Sequence, residues 1–196
     1  MTDKISYAIG LSMGHNFKGE GIEINNPEDF SKAVLDVLQD REPEMTIEEA
    51  KQVINTYFMK LHEERMELNK KAGAEYQMIN GKKEGVTTLP SGVQYEVLKK
   101  SEGEKPSATD KVKCHYHGTL INGAVFDSSV ERGEPAVFPV NGVIMGWQEI
   151  LQMMPVGSKW RVTIPYQHAY GERGAGQSIE PYSTLIFDIE LLGIEK

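Results

Sequence analysis

Apolar positions along the chain follow two different periods. Up to about residue 85 they recur at intervals of three and four, as in an amphipathic helix, and from Ser91 onward they alternate with polar residues, as in a β-strand. Turn-forming residues follow the same division. The chain has 19 Gly and 9 Pro, and only 7 Gly and 2 Pro of these lie within residues 1–85. We therefore predict a helical region with a linker helix over 1–85 and a separate domain over 86–196.

Two short helices are predicted first. The first carries the apolar positions Ile5, Ala8, Ile9, Met13 and Phe17. It also contains Gly10 and Gly14, each costing roughly 1 kcal/mol relative to alanine, which indicates close approach of another helix. The second begins at the N-cap Asn26, followed by Pro27. It is predicted to bury Phe30, Val34, Val37 and Leu38.

The third predicted helix is much longer. It opens with a capping box, Thr46-Ile-Glu-Glu49, and contains no Gly or Pro through Ala72. Its apolar stripe ends near Leu61 and residues 62–71 are mostly charged, so this part is predicted to extend away from any core as a linker. At ~1.5 Å per residue it would place the second domain ~40–50 Å from the start of the helix.

The helical region is too small to make a good core alone, since small domains bury a low fraction of their surface. We therefore predict that residues 1 to about 60 form an intertwined homodimer. The alternative is a small monomeric helical cap resting on the second domain.

The second domain is predicted to be α+β, a curved antiparallel β-sheet wrapped on one short helix. Alternating segments cover 93–98, 111–117, 160–164 and 184–192, and Asn122-Gly123 is typical of a hairpin turn. The single helical segment lies within 143–154 and ends before Pro155.

Composition and charge exclude some classes of function. The net charge of −8 is the wrong sign for binding nucleic acid or anionic lipid, and the apolar runs are too short to cross a bilayer. A single cysteine, Cys114, allows no internal disulfide, and the first residues lack the pattern of an export signal. We therefore predict a cytoplasmic protein that binds neither nucleic acid nor membrane.

Familiar catalytic motifs are absent from the sequence. His115 and His117 share one strand face, but further ligands at a convincing spacing are missing, so we predict no metal and no cofactor. The loop 171–176 is rich in glycine but lacks the lysine and the helix of a phosphate loop. Cys114 lies within a strand, away from the positive charge that activates a nucleophile.

Aromatic and aliphatic residues recur beside the turns of the second domain. They are Tyr116, Phe126, Phe138, Val143, Ile144, Trp147, Tyr170, Ile179 and Phe187. Taken alone they are also what an ordinary core would contain. The segments around them, among them Gly123-Ala-Val-Phe-Asp-Ser-Ser129, Val143-Ile-Met-Gly-Trp147 and Ala169-Tyr-Gly171, closely resemble the FKBP-type immunophilins from about Gly92 to Ile194. These are peptidyl-prolyl cis-trans isomerases.

The first part of the chain resembles one branch of that family. Ser6-Tyr-Ala-Ile-Gly-Leu-Ser-Met-Gly14, followed by a long helix, is similar to the dimeric Mip-like bacterial FKBPs. The resemblance implies a homodimer through the N-terminal helices, proline-containing and unfolded polypeptides as substrates, and chaperone activity assisted by the dimer. The alternative from another class is a catalytically inactive FKBP-like module that only binds a protein.

The resemblance also implies roles for individual residues. The catalytic set would be Tyr116, Asp127, Ile144, Trp147 and Tyr170, and the substrate-binding set Phe126, Arg132, Phe138, Val143, Ile179 and Phe187. Asp127 would lie beside the rotating carbonyl, held by Tyr116 and Arg132, although a plain ion pair with Arg132 is the alternative. Ala136, Ala175 and Gly176 depart from the family pattern and open the pocket, which makes macrolide inhibitors less certain ligands than peptides.

Overall fold

The computed structural model describes residues 3–195 and divides the chain into two compact units. The first unit ends at Phe58 and the second begins at Met59, so the division falls inside a continuous helix. Gly85, near which the sequence places a boundary, lies in the turn after that helix with a φ of 83°.

The first unit contains α1 (Lys4–Glu20), α2 (Pro27–Leu38) and the beginning of α3 (Ile47–Asn80). Each helix starts at a side-chain cap, as expected from the unsatisfied amides of a first turn. Asn26 accepts hydrogen bonds from the amides of α2. Thr46 and Glu49 form the predicted capping box, in which the Glu49 amide donates to Thr46 Oγ1 over 3.2 Å and the Thr46 amide donates to the Glu49 carboxylate over 2.8 Å.

Apolar side chains in the first unit are largely uncovered. Phe17 packs edge to face on Phe30 with ring centres 5.8 Å apart. Among the described residues of this unit only Asp36 is buried, paired with Lys32 and Arg41. The prediction that α2 buries Val34, Val37 and Leu38 was wrong for the single chain, where they are 38%, 67% and 73% exposed.

Helix α3 continues past Ala72, where the stretch without Gly or Pro ends, through Gly73 to Asn80. Its last turns belong to the second unit and contact other segments of that unit, so the expectation that the charged part extends away from any core was wrong for this part. Asn69, Gly73, Gln77 and Asn80 share one face at helical spacing. The Gln77 side chain donates to the Gly92 carbonyl over 3.0 Å, and Asn80 donates to Gln94 Oε1 over 2.9 Å. This face of α3 therefore packs through polar contacts and has no apolar stripe, so the hydrophobic pattern of the sequence does not reveal it.

The second unit is built on one antiparallel sheet of seven strands. The strands are β1 (Val86–Thr88), β2 (Gln94–Lys99), β3 (Lys111–Leu120), β4 (Val125–Ser128), β5 (Ala136–Pro139), β6 (Lys159–Ile164) and β7 (Leu185–Glu195). The order is β1-β2-β6-β7-β3-β4, and β5 pairs with the other end of β3. The α+β prediction is confirmed, and register shifts that leave an extra residue in β2, β4 and β7 bend the sheet.

One short helix, α4 (Met145–Leu151), lies against this sheet. Trp147, Ile150 and Leu151 are buried in the core together with β-strand residues such as Val112 and Ile189. Residue 146 must be small, since a Cβ at Gly146 would lie 2.5 Å from Ile164 Cγ2. The helix therefore lies directly on β6.

We expect Gly73→Ala to destabilise the second unit. A Cβ at Gly73 would lie 2.4 Å from Oγ1 of the buried Thr184. Overpacking costs about 1–3 kcal/mol, which outweighs the gain of about 1 kcal/mol in helix propensity. Urea unfolding followed by tryptophan fluorescence measures this, because both tryptophans, Trp147 and Trp160, lie in the second unit.

Gly19→Ala is the matched control, since a Cβ at Gly19 meets nothing within 4 Å. Equal unfolding midpoints for Gly73→Ala and the native chain would contradict close packing of α3 on Thr184.

Candidate active site

An apolar cavity of about 280 Å³ opens beside the first residues of α4. Its walls come from strands β3, β4, β5 and β7, from α4 and the residues just before it, and from the loop after β6 that carries Tyr170. The lining residues are Tyr116, Phe126, Asp127, Phe138, Gly142, Val143, Ile144, Trp147, Tyr170 and Phe187. Nine of these ten residues belong to the predicted site, and Gly142 is the one that the sequence did not single out.

Trp147 forms the floor of the cavity and is 4% exposed. Three rings surround it edge to face, with centres at 5.4 Å for Tyr116, 5.8 Å for Phe138 and 5.2 Å for Phe187. Phe126 packs in the same manner on Phe187 at 5.4 Å. Such contacts fix the ring planes, so the pocket keeps its shape without a ligand.

A glycine in β3 makes room for the two phenylalanine rings. A Cβ at Gly118 would lie 2.7 Å from the Phe126 ring and 3.0 Å from the Phe187 ring. Strand alternation puts Tyr116 and Gly118 on the same face of β3. Two residues apart on one strand face, the sequence therefore has Tyr116, which forms part of the wall, and Gly118, which leaves space for the Phe126 and Phe187 rings.

Asp127 is held at the rim by two side chains. Tyr116 Oη donates to Oδ2 over 2.5 Å, and Arg132 Nη1 donates to Oδ1. Arg132 Nη2 also donates to Tyr116 Oη over 2.8 Å, which closes a three-membered network. Arg132 thus acts on the site through Asp127 and Tyr116, and it does not line the cavity.

The network changes the acidity of its members. Partial burial opposes ionisation of Asp127, but hydrogen bonds from Tyr116 and Arg132 together outweigh it and hold the pKa of the carboxyl below its ordinary value. Burial, followed by the hydrogen bond to Asp127, raises the pKa of Tyr116. At neutral pH the rim therefore carries a carboxylate beside a neutral phenol.

Several polar hydrogens at the cavity have no protein acceptor among residues 3–195. The buried Nε1 of Trp147 is one of them, and two others belong to more exposed residues. One is the hydroxyl of Tyr170, a side chain 41% exposed whose pKa is raised by burial and then by the charge of Asp127. The other is the backbone amide of Ile144, the residue that precedes α4. Both can donate to a ligand carbonyl without breaking an existing bond.

Ile179 lies in a second cavity that adjoins the first. This cavity is lined by Phe126, Asp127 and Tyr170 together with residues 175–179. Of the predicted substrate-binding residues, Ile179 and Arg132 are therefore the two outside the main cavity. Catalytic and binding roles for the whole set stay predictions at this point.

The remaining candidate residues make structural contacts. His115 Nδ1 lies 3.1 Å from Ser129 Oγ and His117 Nδ1 lies 3.0 Å from Ser128 Oγ. Burial raises the pKa of Cys114 to about 12. Within the described residues no three His, Cys, Asp or Glu side chains converge as metal ligands would, and no helix is long and apolar enough to span a bilayer.

Comparison with known families matches both parts of the chain. Residues 102–192 match the model of the FKBP-type peptidyl-prolyl cis-trans isomerase. Residues 2–97 match the model of the domain amino terminal to FKBP-type peptidyl-prolyl isomerase.

Individual relatives agree with the family models. The chain is 47% identical to the FKBP-type 22 kDa peptidyl-prolyl cis-trans isomerase of Escherichia coli, over 96% of this chain and 93% of that protein. It is 43% identical to the outer membrane protein MIP of Legionella longbeachae, over 99% of this chain and 86% of that protein. The crystal structure of FkpA from Escherichia coli aligns with a TM-score of 0.77 at 33% identity, covering 98% of this chain and 95% of that one.

We expect Arg132→Ala to raise the pKa of Asp127, because it removes a donor that stabilises the carboxylate. A carboxyl whose pKa is lowered on folding stabilises the folded state at any pH above the ordinary aspartate pKa of about 3.9. This stabilisation is lost as the pH falls through the folded-state pKa. In the variant the loss moves to higher pH. Carbon-13 NMR titration of the Asp127 carboxyl measures it.

Arg161→Ala is the control, since Arg161 pairs with Asp188 on another part of the sheet and should leave the Asp127 titration unchanged. Identical Asp127 titrations in Arg132→Ala and the native chain would contradict the network.

Proposed function

The chain belongs to the FKBP-type peptidyl-prolyl cis-trans isomerases, and from that premise we propose how the pocket accelerates rotation about X-Pro bonds. The chain is an isomerase of protein folding, and its relatives support this activity over an inactive binding module. The observation that carries the mechanism is an aromatic pocket with a carboxylate, Asp127, and two unpaired donors, the Tyr170 hydroxyl and the Ile144 amide, beside it.

The barrier to be lowered is the resonance energy of the amide, ~18–20 kcal/mol. No covalent bond forms or breaks. In the twisted amide the carbonyl oxygen carries less negative charge and the proline nitrogen is more basic than in the planar form. A catalyst therefore has to favour the less polar, twisted amide over the planar ground state.

An apolar enclosure does this by removing water. Water hydrogen-bonds strongly to the polarised oxygen of the planar amide. Transfer into a pocket with Trp147 as its floor therefore raises the free energy of the planar form more than that of the twisted form. The rings of Tyr116, Phe138 and Phe187 hold that floor in place. The proline ring fits above Trp147.

Rim groups orient the peptide. The Tyr170 hydroxyl and the Ile144 amide each donate to a substrate carbonyl that does not rotate, which fixes one side of the bond. Asp127 lies beside the carbonyl that rotates, and its negative charge disfavours the polarised oxygen of the planar state. Tyr116 and Arg132 keep Asp127 ionised and in position.

We expect Tyr170→Phe to lower kcat/KM for a short Ala-Pro-Phe-type peptide by about threefold to tenfold, the effect of one hydrogen bond. Asp127→Ala should lower it without unfolding the unit, whereas Trp147→Ala should also cost about 3–5 kcal/mol of stability. Prolyl exchange measured by NMR gives the rates.

Tyr95→Phe is the control, because Tyr95 stacks on Trp160 with ring centres 4.5 Å apart and does not line the cavity. Catalysis at the native rate by both Tyr170→Phe and Asp127→Ala would contradict the proposed roles.

The first unit supports a further proposal, a homodimer through its helices. Exposed apolar residues occur on all three helices, among them Leu11, Val37 and Val53, and the unit has no buried apolar residue among those described. A Cβ at Gly10 or Gly14 meets nothing within 4 Å, so α1 has room for a helix of a second copy. The similarity to FkpA and Mip proteins over nearly the whole chain supports the same arrangement.

The proposed dimer would give the protein a chaperone activity. Two pockets joined in one assembly raise the effective concentration of the second pocket for a polypeptide already held by the first. Unfolded proteins with several prolines are then the natural clients. The cytoplasmic location and the binding of macrolide inhibitors stay predictions.

We expect Leu11→Lys, which puts a charge on an exposed apolar residue, to halve the mass measured by light scattering. Short-peptide activity should persist, while refolding of a large client limited by proline isomerisation should slow. Leu98→Lys is the control, since Leu98 is a similarly exposed leucine of the second unit. A monomeric mass for the native chain at micromolar concentration would contradict the dimer.

A further inference from the structure

A chain of cavities leads away from the proline pocket across the second unit. The pocket and its neighbouring cavity share Phe126, Asp127 and Tyr170. That neighbour shares Gln177 and Ser178 with a third cavity of about 210 Å³. These adjoining cavities form a row that starts at the candidate active site, and we call this row the groove.

The third cavity differs from the proline pocket in chemistry. Its lining includes Asn69, Asn122, Gln177, Ser178, Glu180 and Thr184. Amides and hydroxyls dominate this lining, and Glu180 is its one ionisable side chain. That carboxylate already accepts a hydrogen bond from Asn69 over 3.1 Å and lies 3.8 Å from Arg65. The cavity therefore offers neutral hydrogen-bonding groups rather than a site for an ion.

The turn between the two cavities has unused hydrogen-bonding capacity. Ala175 and Ile179 pair through two backbone hydrogen bonds of 2.8 and 3.1 Å, which leaves residues 176–178 as the tip of a small hairpin. Within residues 3–195 the amides and side chains of Gln177 and Ser178 have no hydrogen-bond partner. Asn122 Oδ1 accepts a hydrogen bond from the Ala124 amide over 3.0 Å, and the Nδ2 donors of Asn122 remain available.

The far wall of the groove is firmly held. Asn69 of α3 donates to the Pro181 carbonyl over 3.0 Å as well as to Glu180, and Lys70 lies 4.2 Å from the centre of the Tyr182 ring. The close approach of Gly73 to Thr184 fixes the same segment. Helix α3 thus supplies a rigid side to a groove whose other side is the 176–178 turn.

We propose that this amide-lined groove binds the backbone of the substrate polypeptide beyond the X-Pro dipeptide. An extended chain exposes one donor and one acceptor per residue, which matches neutral amides and hydroxyls. Recognition of the backbone discriminates little among side chains, as suits an isomerase that meets many unfolded proteins. This inference rests on the proposed function, since the proline of the same chain occupies the pocket.

The test compares peptides that share one X-Pro core. One is a short Ala-Pro-Phe-type peptide, and two others carry several Ser and Gly residues added before or after the core, so that net charge is unchanged. With the native full-length chain, one extended peptide should show a KM about threefold to tenfold lower than the short peptide, with similar kcat, because a few hydrogen bonds add binding without altering the rotation step.

Two variants then locate the effect. Gln177→Ala removes a side chain without partners, and Asn122→Asp keeps the acceptor for the Ala124 amide while removing the free donors. Each should raise KM for the extended peptide toward that of the short peptide. Gln152→Ala, which removes an exposed amide outside the groove, should keep the full difference.

Each outcome has a distinct meaning. Equal KM values for short and extended peptides with the native chain, or a KM difference that survives in both groove variants, would overturn the groove. Failure of the native chain to accelerate even the short peptide would instead overturn the proposed function. Tryptophan fluorescence of each variant verifies that the second unit is folded.

Discussion

The close packing of α4 on the sheet is the contact on which both the core and the pocket depend. Gly146 lets the helix lie directly on Ile164 of β6, which buries Trp147 among the rings of the surrounding strands. The same indole is the floor of the cavity, so burial of apolar area, at about 25 cal/mol per Å², stabilises the fold and the site together. A change that loosens this contact would weaken both.

Around this rigid floor the polar groups occupy the rim. Asp127 is kept ionised by Tyr116 and Arg132, and the Tyr170 hydroxyl and the Ile144 amide remain available to a peptide. This division suits a reaction without covalent chemistry, because desolvation acts on the amide inside while hydrogen bonds orient the chain outside. The buried Cys114 and the paired histidines are accordingly structural residues of β3.

Helix α3 belongs to both units and serves each differently. Its first turns lie in a unit whose apolar residues are mostly exposed, which is the basis for the proposed dimer. Its last turns hold the segment around Pro181 and Thr184 through Asn69 and Gly73, next to the turn that carries Ile179. The helix is therefore a linker at one end and a wall of the catalytic unit at the other.

Local pattern alone determined the starts of α2 and α3, the long strands and the fold class, whereas the family followed from the resemblance of longer motifs to known proteins. Caps such as Thr46 and alternation along β3 and β7 are visible in short windows of sequence. The three- and four-residue strands β1, β4 and β5 were missed, because such short segments show no period. Only the tertiary structure showed that Asn69 and Gly73 pack on the segment around Pro181 and Thr184 and that Gly142 lines the pocket. These contacts join residues far apart in sequence and leave no periodic signal.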